Sequence, residues 1–480
     1  MAVLSKILNP EWSVPYNCYE VGHFWTPNCS DAALELLFVA FAESLKIYTP
    51  LYLASQLIFA RKYDVPALKD SASSIVRSSC FLSMNAFAIL LFFCVCRDQT
   101  GRFYYRIHSF FPTFAAAMLA ICIEKPSRRF PLAIYVANIA SECLFRISVD
   151  QGYIRAIPKG EVILFTASMS ALLWLIKKQG YGKDPVSLAL RYYLGRGEAG
   201  ARDDARIKRQ RLSSSPVMPH GVMPPTPPDS PPSSLDSNFN LKNKPALTPL
   251  PVASLMSFRH ASCRHEESSC VSYAMSGFAK PFLIAWLGSA AFASLKKYNQ
   301  LLRDPSILSK ILWNERSVST ALFFGCFSGV YKAVSCLLRS HSQGVRDWHA
   351  LVAGLAAGPA MLFQPNSTIT LYVSWKLIET LYWKGEKAGY CKNPILTANV
   401  LYSAAVAQIA YCLLLQPRHI RPSYMRFIDQ LTGHRFHQIN RLPLNVLVPD
   451  AVQGYEDFFP DLDPRFMSRK FVESMFVWLL

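Results

Sequence analysis

Apolar residues in this chain gather into blocks of roughly 20, the length a helix needs to cross the hydrocarbon core of a bilayer, and that clustering constrains the fold more than anything else in the sequence. Five blocks lie near residues 33 to 58, 75 to 96, 108 to 124, 129 to 147 and 161 to 177. Five more lie near 271 to 294, 318 to 338, 348 to 364, 368 to 383 and 395 to 415. The expected fold is all-α: a polytopic transmembrane helical bundle of about ten spans. The first block is the weakest, because Glu35, Glu43 and Lys46 interrupt it and an interfacial amphipathic helix would read the same way.

Lys and Arg number 50 against 32 Asp and Glu, and most of the excess lies between the apolar blocks. That placement fits contact with phospholipid headgroups, and no finger, helicase or stacked-aromatic motif points to nucleic acid. Of the 13 cysteines, Cys94, Cys96, Cys143, Cys326, Cys336 and Cys412 sit inside apolar stretches, where they read as small hydrophobes. A disulfide framework is not expected. The start, MAVLSKILNPEWSVPYNC, has no long apolar core, so no cleaved secretory signal is expected.

Five regions follow: an N-terminal Cys/His-containing segment (1–32), a first membrane half (33–177), a linker (178–260), a second membrane half (261–415) and a polar C-terminal tail (416–480). The linker is first basic, with Arg202, Arg206, Lys208, Arg209 and Arg211, and then rich in Pro and Ser. Such a composition has little to bury and reads as disordered. Ser215, Thr226, Ser230 and Thr248 each precede proline and are candidate phosphorylation sites, although a passive linker would read alike.

The halves resemble each other. Ile134-Tyr135-Val136, Glu142 and Leu144-Phe145 line up with Leu371-Tyr372-Val373, Glu379 and Leu381-Tyr382 at a shift of 237 residues, which also carries Gly152-Tyr153 onto Gly389-Tyr390. Lys62-Tyr63 matches Lys297-Tyr298 at a shift of 235. Two halves of five spans each would have inverted topology, an arrangement frequent in secondary transporters. Structural proteins duplicate as well, so the repeat alone does not imply transport.

Ionisable residues inside apolar blocks are costly and mark candidate sites. Glu43 with Lys46, Lys376 with Glu379, and Glu142 with Arg146 are spaced to share a helix face. Glu142, Arg146, Lys376 and Glu379 therefore form either an intramembrane polar site between the halves or internal pairs that fix helix packing. Gly325 with Gly329, and Gly354 with Gly358, have the Gly-x-x-x-Gly spacing that lets two helices approach closely. Cys18, His23 and Cys29, and again Cys263, His265 and Cys270, offer soft metal ligands. Each triplet lacks both the tight spacing of a structural zinc site and a fourth ligand, so no metal and no cofactor is expected. The usual hydrolase, metalloprotease and nucleotide-binding signatures are missing, and the chain does not read as an enzyme.

Several segments, among them NCYEVGHFWTPNC, ESLKIYTPLYL, IEKPSRRFPLAIYVANIASECLFR, GVYKAVSCLLR, KLIETLYWKGEKAG, RPSYMRF and FFPDLDPRF, resemble the transmembrane protein 135 family along nearly the whole chain. The linker is longer than that family would lead one to expect. The resemblance implies residence in mitochondrial and peroxisomal membranes and a role in lipid metabolism and organelle division. Its cysteine-rich label corresponds to Cys18, Cys29, Cys263 and Cys270, and it brings no catalytic residues. Locally, the seventh to ninth blocks resemble the Tim17/Tim22/Tim23 translocase fold.

The leading expectation is a non-enzymatic membrane protein acting on mitochondrial fission and lipid handling. Its partners would be the bilayer and the organelle-division machinery, met through the basic linker and the tail at Arg421-Pro-Ser-Tyr424. The second is a transporter or lipid-moving protein, with a lipid or small metabolite bound where the repeats meet. The third is a component of a protein-import assembly.

Overall fold

The structure is a computed structural model, and it describes residues 10–56, 64–182, 184–195, 265, 269–304, 306–342, 344–445, 448–455 and 458–478. Lys62, Tyr63, Cys263 and the four candidate phosphorylation sites, Ser215, Thr226, Ser230 and Thr248, lie outside the described residues, as does the linker from 196 to 264.

Local signals in the sequence set the helix boundaries. Helix α1 (Cys18–Val21) is one turn held by a capping box of Asn17 and Glu20, and α2 (Cys29–Ser55) starts at Asn28, whose side chain accepts from the Ser30 amide. Helix α3 (Val65–Thr100) stops at Gly101, left-handed at φ 67°, a conformation that costs glycine nothing. Helix α4 (Phe111–Ala120) is followed by a 3-10 turn. Helix α5 (Pro126–Asp150) has proline in its first turn, where a missing amide costs no intrahelical bond. Then come α6 (Gly160–Gln179), α7 (Pro185–Leu194), α8 (Cys270–Lys296), α9 (Glu315–Ser342), α10 (Trp348–Ala357), α11 (Ser367–Lys387) and α12 (Pro394–Leu415). The tail adds α13 (Pro422–Leu431) and α14 (Arg469–Trp478).

Among the described residues, seven helices are long and apolar enough to cross a membrane: α2, α3, α5, α6, α8, α9 and α12. Three of the ten expected blocks fall outside this set, for two physical reasons. Helices α4 and α10 are each 10 residues long; at ~1.5 Å per residue they reach about 15 Å. Helix α11 has 21 residues but carries Lys376, Glu379, Lys384, Glu386 and Lys387. The long helices turn large apolar side chains outward, including Phe38, Leu51, Ile163, Leu287, Phe292 and Leu337. Water tolerates apolar surface on that scale poorly, whereas acyl chains match it. The protein is a multi-pass, all-α membrane protein.

Two compact units divide the chain, and they cut across the two halves of the sequence. The first takes the described residues of Met1–Gly160 and Ser367–Leu480, the second those of Glu161–Asn366. In the first unit, α2 lies along α3, α5 along α12, and α4 fits between α3 and α12. Its core uses small residues, Ala117, Ala120, Ala133, Ala137 and Cys143, against Phe81, Tyr402 and Ile409, so backbones approach closely. Helix α11 runs antiparallel to α5. Phe130 near the start of α5 meets Tyr382 and Trp383 near the end of α11, while the Ser141 hydroxyl, further along α5, accepts from the Trp375 indole at 3.0 Å.

The tail does not extend as a free polar segment. A two-stranded ladder pairs β1 (Ser13–Val14) with β2 (Phe103–Tyr104), and over it Val14, Tyr16, Val21 and Phe103 form a small core with Leu444, Ala451 and Phe471. The Asn440 amide donates to the Val21 carbonyl at 3.1 Å, and the Asp463 amide donates to the Tyr19 hydroxyl at 2.9 Å. Arg441, fully buried, donates to the Leu413 and Leu414 carbonyls at 3.0 and 2.9 Å and so satisfies the C-terminal end of α12. Leu444, Ala451 and Phe471 explain why a stretch that reads as polar folds: they insert into a cap built with the N-terminal segment.

In the second unit the two glycine pairs act as packing seams. A Cβ on Gly329 would stand 3.0 Å from the Phe278 Cβ of α8, and one on Gly354 would stand 2.8 Å from the Ser170 Cα of α6. Gly325 and Gly358 continue these seams against Phe278 and Thr166. Because backbone lies directly under Gly354, Gly354→Leu should lower stability by about 1–3 kcal/mol through overpacking. Thermal unfolding of the purified protein in detergent checks this, with Gly288→Leu, at a glycine facing open space, as the control expected to stay near wild type.

Candidate functional site

A cavity with a volume of about 290 Å³ lies in the first unit. Helices α2, α3, α5, α12 and α13 contribute its wall, which is almost wholly apolar and includes Phe81, Ile409, Phe427 and Phe436. Its polar atoms are few. The Asn85 amide donates to the Tyr402 hydroxyl at 2.5 Å, and Tyr424 brings a phenol whose pKa burial pushes up, so it stays a neutral donor. An apolar wall with a few placed polar groups is the usual make-up of a small-ligand site. Tyr135, one of the residues that marked the repeat, also lines it.

Beside the cavity, charge is paired within the protein. Glu142, nearly buried on α5, accepts from both Arg146 and Arg421; Arg421 also donates to the Asn138 carboxamide oxygen at 3.3 Å, whose amide reaches the Thr368 carbonyl at 3.2 Å. Glu379 takes Lys376 at 2.8 Å and the Trp383 indole at 3.4 Å. The structure thus gives each glutamate its own partners. Glu43 pairs with Lys46 in the same manner. Arg421 and Tyr424, expected as contacts for other proteins, are instead engaged with Glu142 and the cavity wall. A second buried carboxylate escaped the sequence reading: Glu124 accepts from Ser78 at 2.9 Å and lies 3.8 Å from Arg128. It stands at the very end of the third apolar block, where a charge draws no notice.

The Cys/His residues fall into two groups. Cys18, His23 and Cys29 are joined by Cys94, and His265 and Cys270 by Cys336; within each group the ligand atoms lie within 4.8 Å of one another. The expectation that the first triplet lacks a fourth ligand is thereby corrected, and Cys94 and Cys336 are not merely small hydrophobes. Cys94 follows Cys29 by 65 residues and Cys336 follows Cys270 by 66, so the similar intervals held the signal. The His23 ring is fully buried, and burial alone would lower its pKa. Hydrogen bonds with Cys18 and Cys29 and to the Thr26 carbonyl outweigh that and raise it to about 10.

Residues 15–149, which supply the first Cys/His group and much of the cavity wall, match the family model of the N-terminal cysteine-rich region of Transmembrane protein 135. Over these residues the chain is similar to the transmembrane protein 135 family. No solved structure matches it. The family match ends at residue 149, one short of the end of α5.

The Glu142 network makes a graded prediction. The Arg421 side chain is 17% exposed and that of Arg146 is 40%. Arg421→Met should cost about 3 kcal/mol, because it strips a nearly buried carboxylate of its less solvated partner. Arg146→Met should cost about 1 kcal/mol or less, since water takes over there. Thermal or denaturant unfolding in detergent measures both, and equal losses would contradict the assignment of Arg421 as the main partner.

Proposed function

We propose that this chain is a non-enzymatic membrane protein of mitochondria and peroxisomes that binds a membrane-derived lipid and couples lipid handling to organelle division. The observation that carries the lipid reading is the cavity of about 290 Å³ among Phe81, Asn85, Tyr402, Ile409 and Tyr424. Its wall matches a hydrocarbon chain, Asn85, Tyr402 and Tyr424 offer hydrogen bonds to a polar end, and Arg435 also borders it. The match over residues 15–149 supports a membrane setting, and the resemblance described above supports the two organelles and the link to fission. The folded tail leaves the basic linker, around Arg202 to Arg211, as the segment for the division machinery.

The test fills the cavity. Val406 and Ala410 line it from α12, whereas Val400 on the same helix is exposed. Val406→Trp and Ala410→Trp should reduce labelling by a photoactivatable fatty acid several-fold and fail to restore mitochondrial number in depleted cells. Val400→Trp should behave as wild type. Undiminished labelling in both cavity variants at normal expression would sink the lipid reading.

A transporter or lipid-moving protein with its site between the repeats is the second reading, and the antiparallel contact of α5 with α11 supports it, since an inverted repeat sets equivalent helices in opposed directions. It requires Glu142 and Glu379 to leave their internal partners. Reconstituted Glu142→Gln and Glu379→Gln proteins that move a candidate lipid between leaflets as fast as wild type would remove these residues from any such pathway.

A further inference from the structure

Four side chains that the sequence spreads over residues 18 to 94 converge on one point. Cys18 opens α1, where the capping box of Asn17 and Glu20 fixes it; His23 follows the end of that turn; Cys29 is the first residue of α2; and Cys94 projects from the last third of α3. Their four ligand atoms all lie within 4.8 Å of one another. Sulfurs bound tetrahedrally to zinc at ~2.3 Å stand about 3.8 Å apart, so the group closes on an ion with shifts on the order of half an ångström per atom.

Three further observations point to a metal. The His23 Nδ1 lies 2.8 Å from the Thr26 carbonyl oxygen, which can only accept, so Nδ1 carries a proton and Nε2 is the atom turned to the sulfurs, 3.5 Å from the Cys94 Sγ. A backbone carbonyl on the outer ring nitrogen is the usual support of a metal-ligating histidine. A void of about 10 Å³ borders Cys18, His23 and Cys94, room for about one small sphere. Finally, His265, Cys270 and Cys336 assemble in the same manner in the second unit, His265 at a shift of 242 from His23, Cys270 at 241 from Cys29 and Cys336 at 242 from Cys94. Chance clustering of apolar cysteines would not place the same residue types at the same intervals twice.

We propose that Cys18, His23, Cys29 and Cys94 bind a structural zinc ion that staples the N-terminal segment to α2 and α3. Three thiolates and an imidazole suit zinc, and the group contains no oxygen ligand of the kind calcium or magnesium requires. All three cysteines are free thiols, each able to lose its proton to the metal. Four protein ligands leave no open position, which makes the site structural. The staple also bears on the large cavity, because Val21, Gly22 and Phe93 border both the small void and that cavity.

Elemental analysis of the full-length chain, purified in detergent without chelators, tests this. Cys29→Ser and Cys94→Ser should each contain one zinc fewer per chain than wild type, and Cys122→Ser, at an exposed cysteine outside both groups, should keep the wild-type content. Should the serine variants fail to fold, cobalt replacing zinc in the wild-type protein reads the ligands directly: the intense visible bands of a tetrahedral, sulfur-rich site are expected. Unchanged zinc in Cys29→Ser and Cys94→Ser, copper or iron in place of zinc, or the weak spectrum of six-coordinate cobalt would each overturn the proposal.

Discussion

Every backbone amide and carbonyl inside a bilayer must find its hydrogen bond within the protein, and the rest of this structure depends on that requirement. It explains why a chain that places apolar residues in blocks of roughly 20 folds as helices, with one two-residue ladder among the described residues, where the N-terminal segment meets the loop after α3. It also explains the prolines. Pro50 and Pro281 lie inside long helices, where each removes one hydrogen bond. Neighbouring helices make that tolerable in a membrane.

The same requirement governs charge. A carboxylate on a spanning helix must be paired or lie near water, and Glu142 meets this with two arginines, one from its own helix and one from beyond α12. Arg421 therefore does more than neutralise. It ties the start of α13 to α5, and with Arg441 at the end of α12 it anchors the tail on both sides of the 417–441 stretch. Two guanidinium groups thus convert a segment of polar composition into a fold. The N-terminal segment completes that fold through Glu20, whose carboxylate accepts from the Asn17 amide at 2.6 Å and also from the Ser468 amide at the start of α14.

The helices were legible in the sequence because apolar length is a local property, and the glycine pairs because their spacing maps directly onto one helix face. Span number was less legible. The third block of each half is apolar, yet α4 and α10 turn into 3-10 helix after 10 residues, and composition does not report where a helix ends. The tail misled for a related reason: Leu444, Ala451 and Phe471 are isolated among polar residues, and only tertiary contact gives them a common core. Cys94 was hidden by its own environment, since an apolar run makes any cysteine look like filling. What distinguished it was its distance from Cys29, repeated between Cys270 and Cys336.

The pairing of short and long helices carries the repeat one step further. In the first unit α4, the third apolar helix of the first half, packs on α12, the fifth of the second; in the second unit α10 packs on α6, the third of the second half on the fifth of the first. Each half thus lends its fifth helix to the unit that holds the other half's first three. This arrangement leaves neither half of the chain with a complete core of its own, because Ala117 and Ala120 on α4 need Ile409 and Tyr402 on α12, and Gly354 on α10 needs Ser170 on α6. Each Cys/His group joins the entry segment of a half to its first two long helices, the part of the half that stays together in one unit. A metal staple at the first of these places would therefore hold together the part of the first half that stays in one unit.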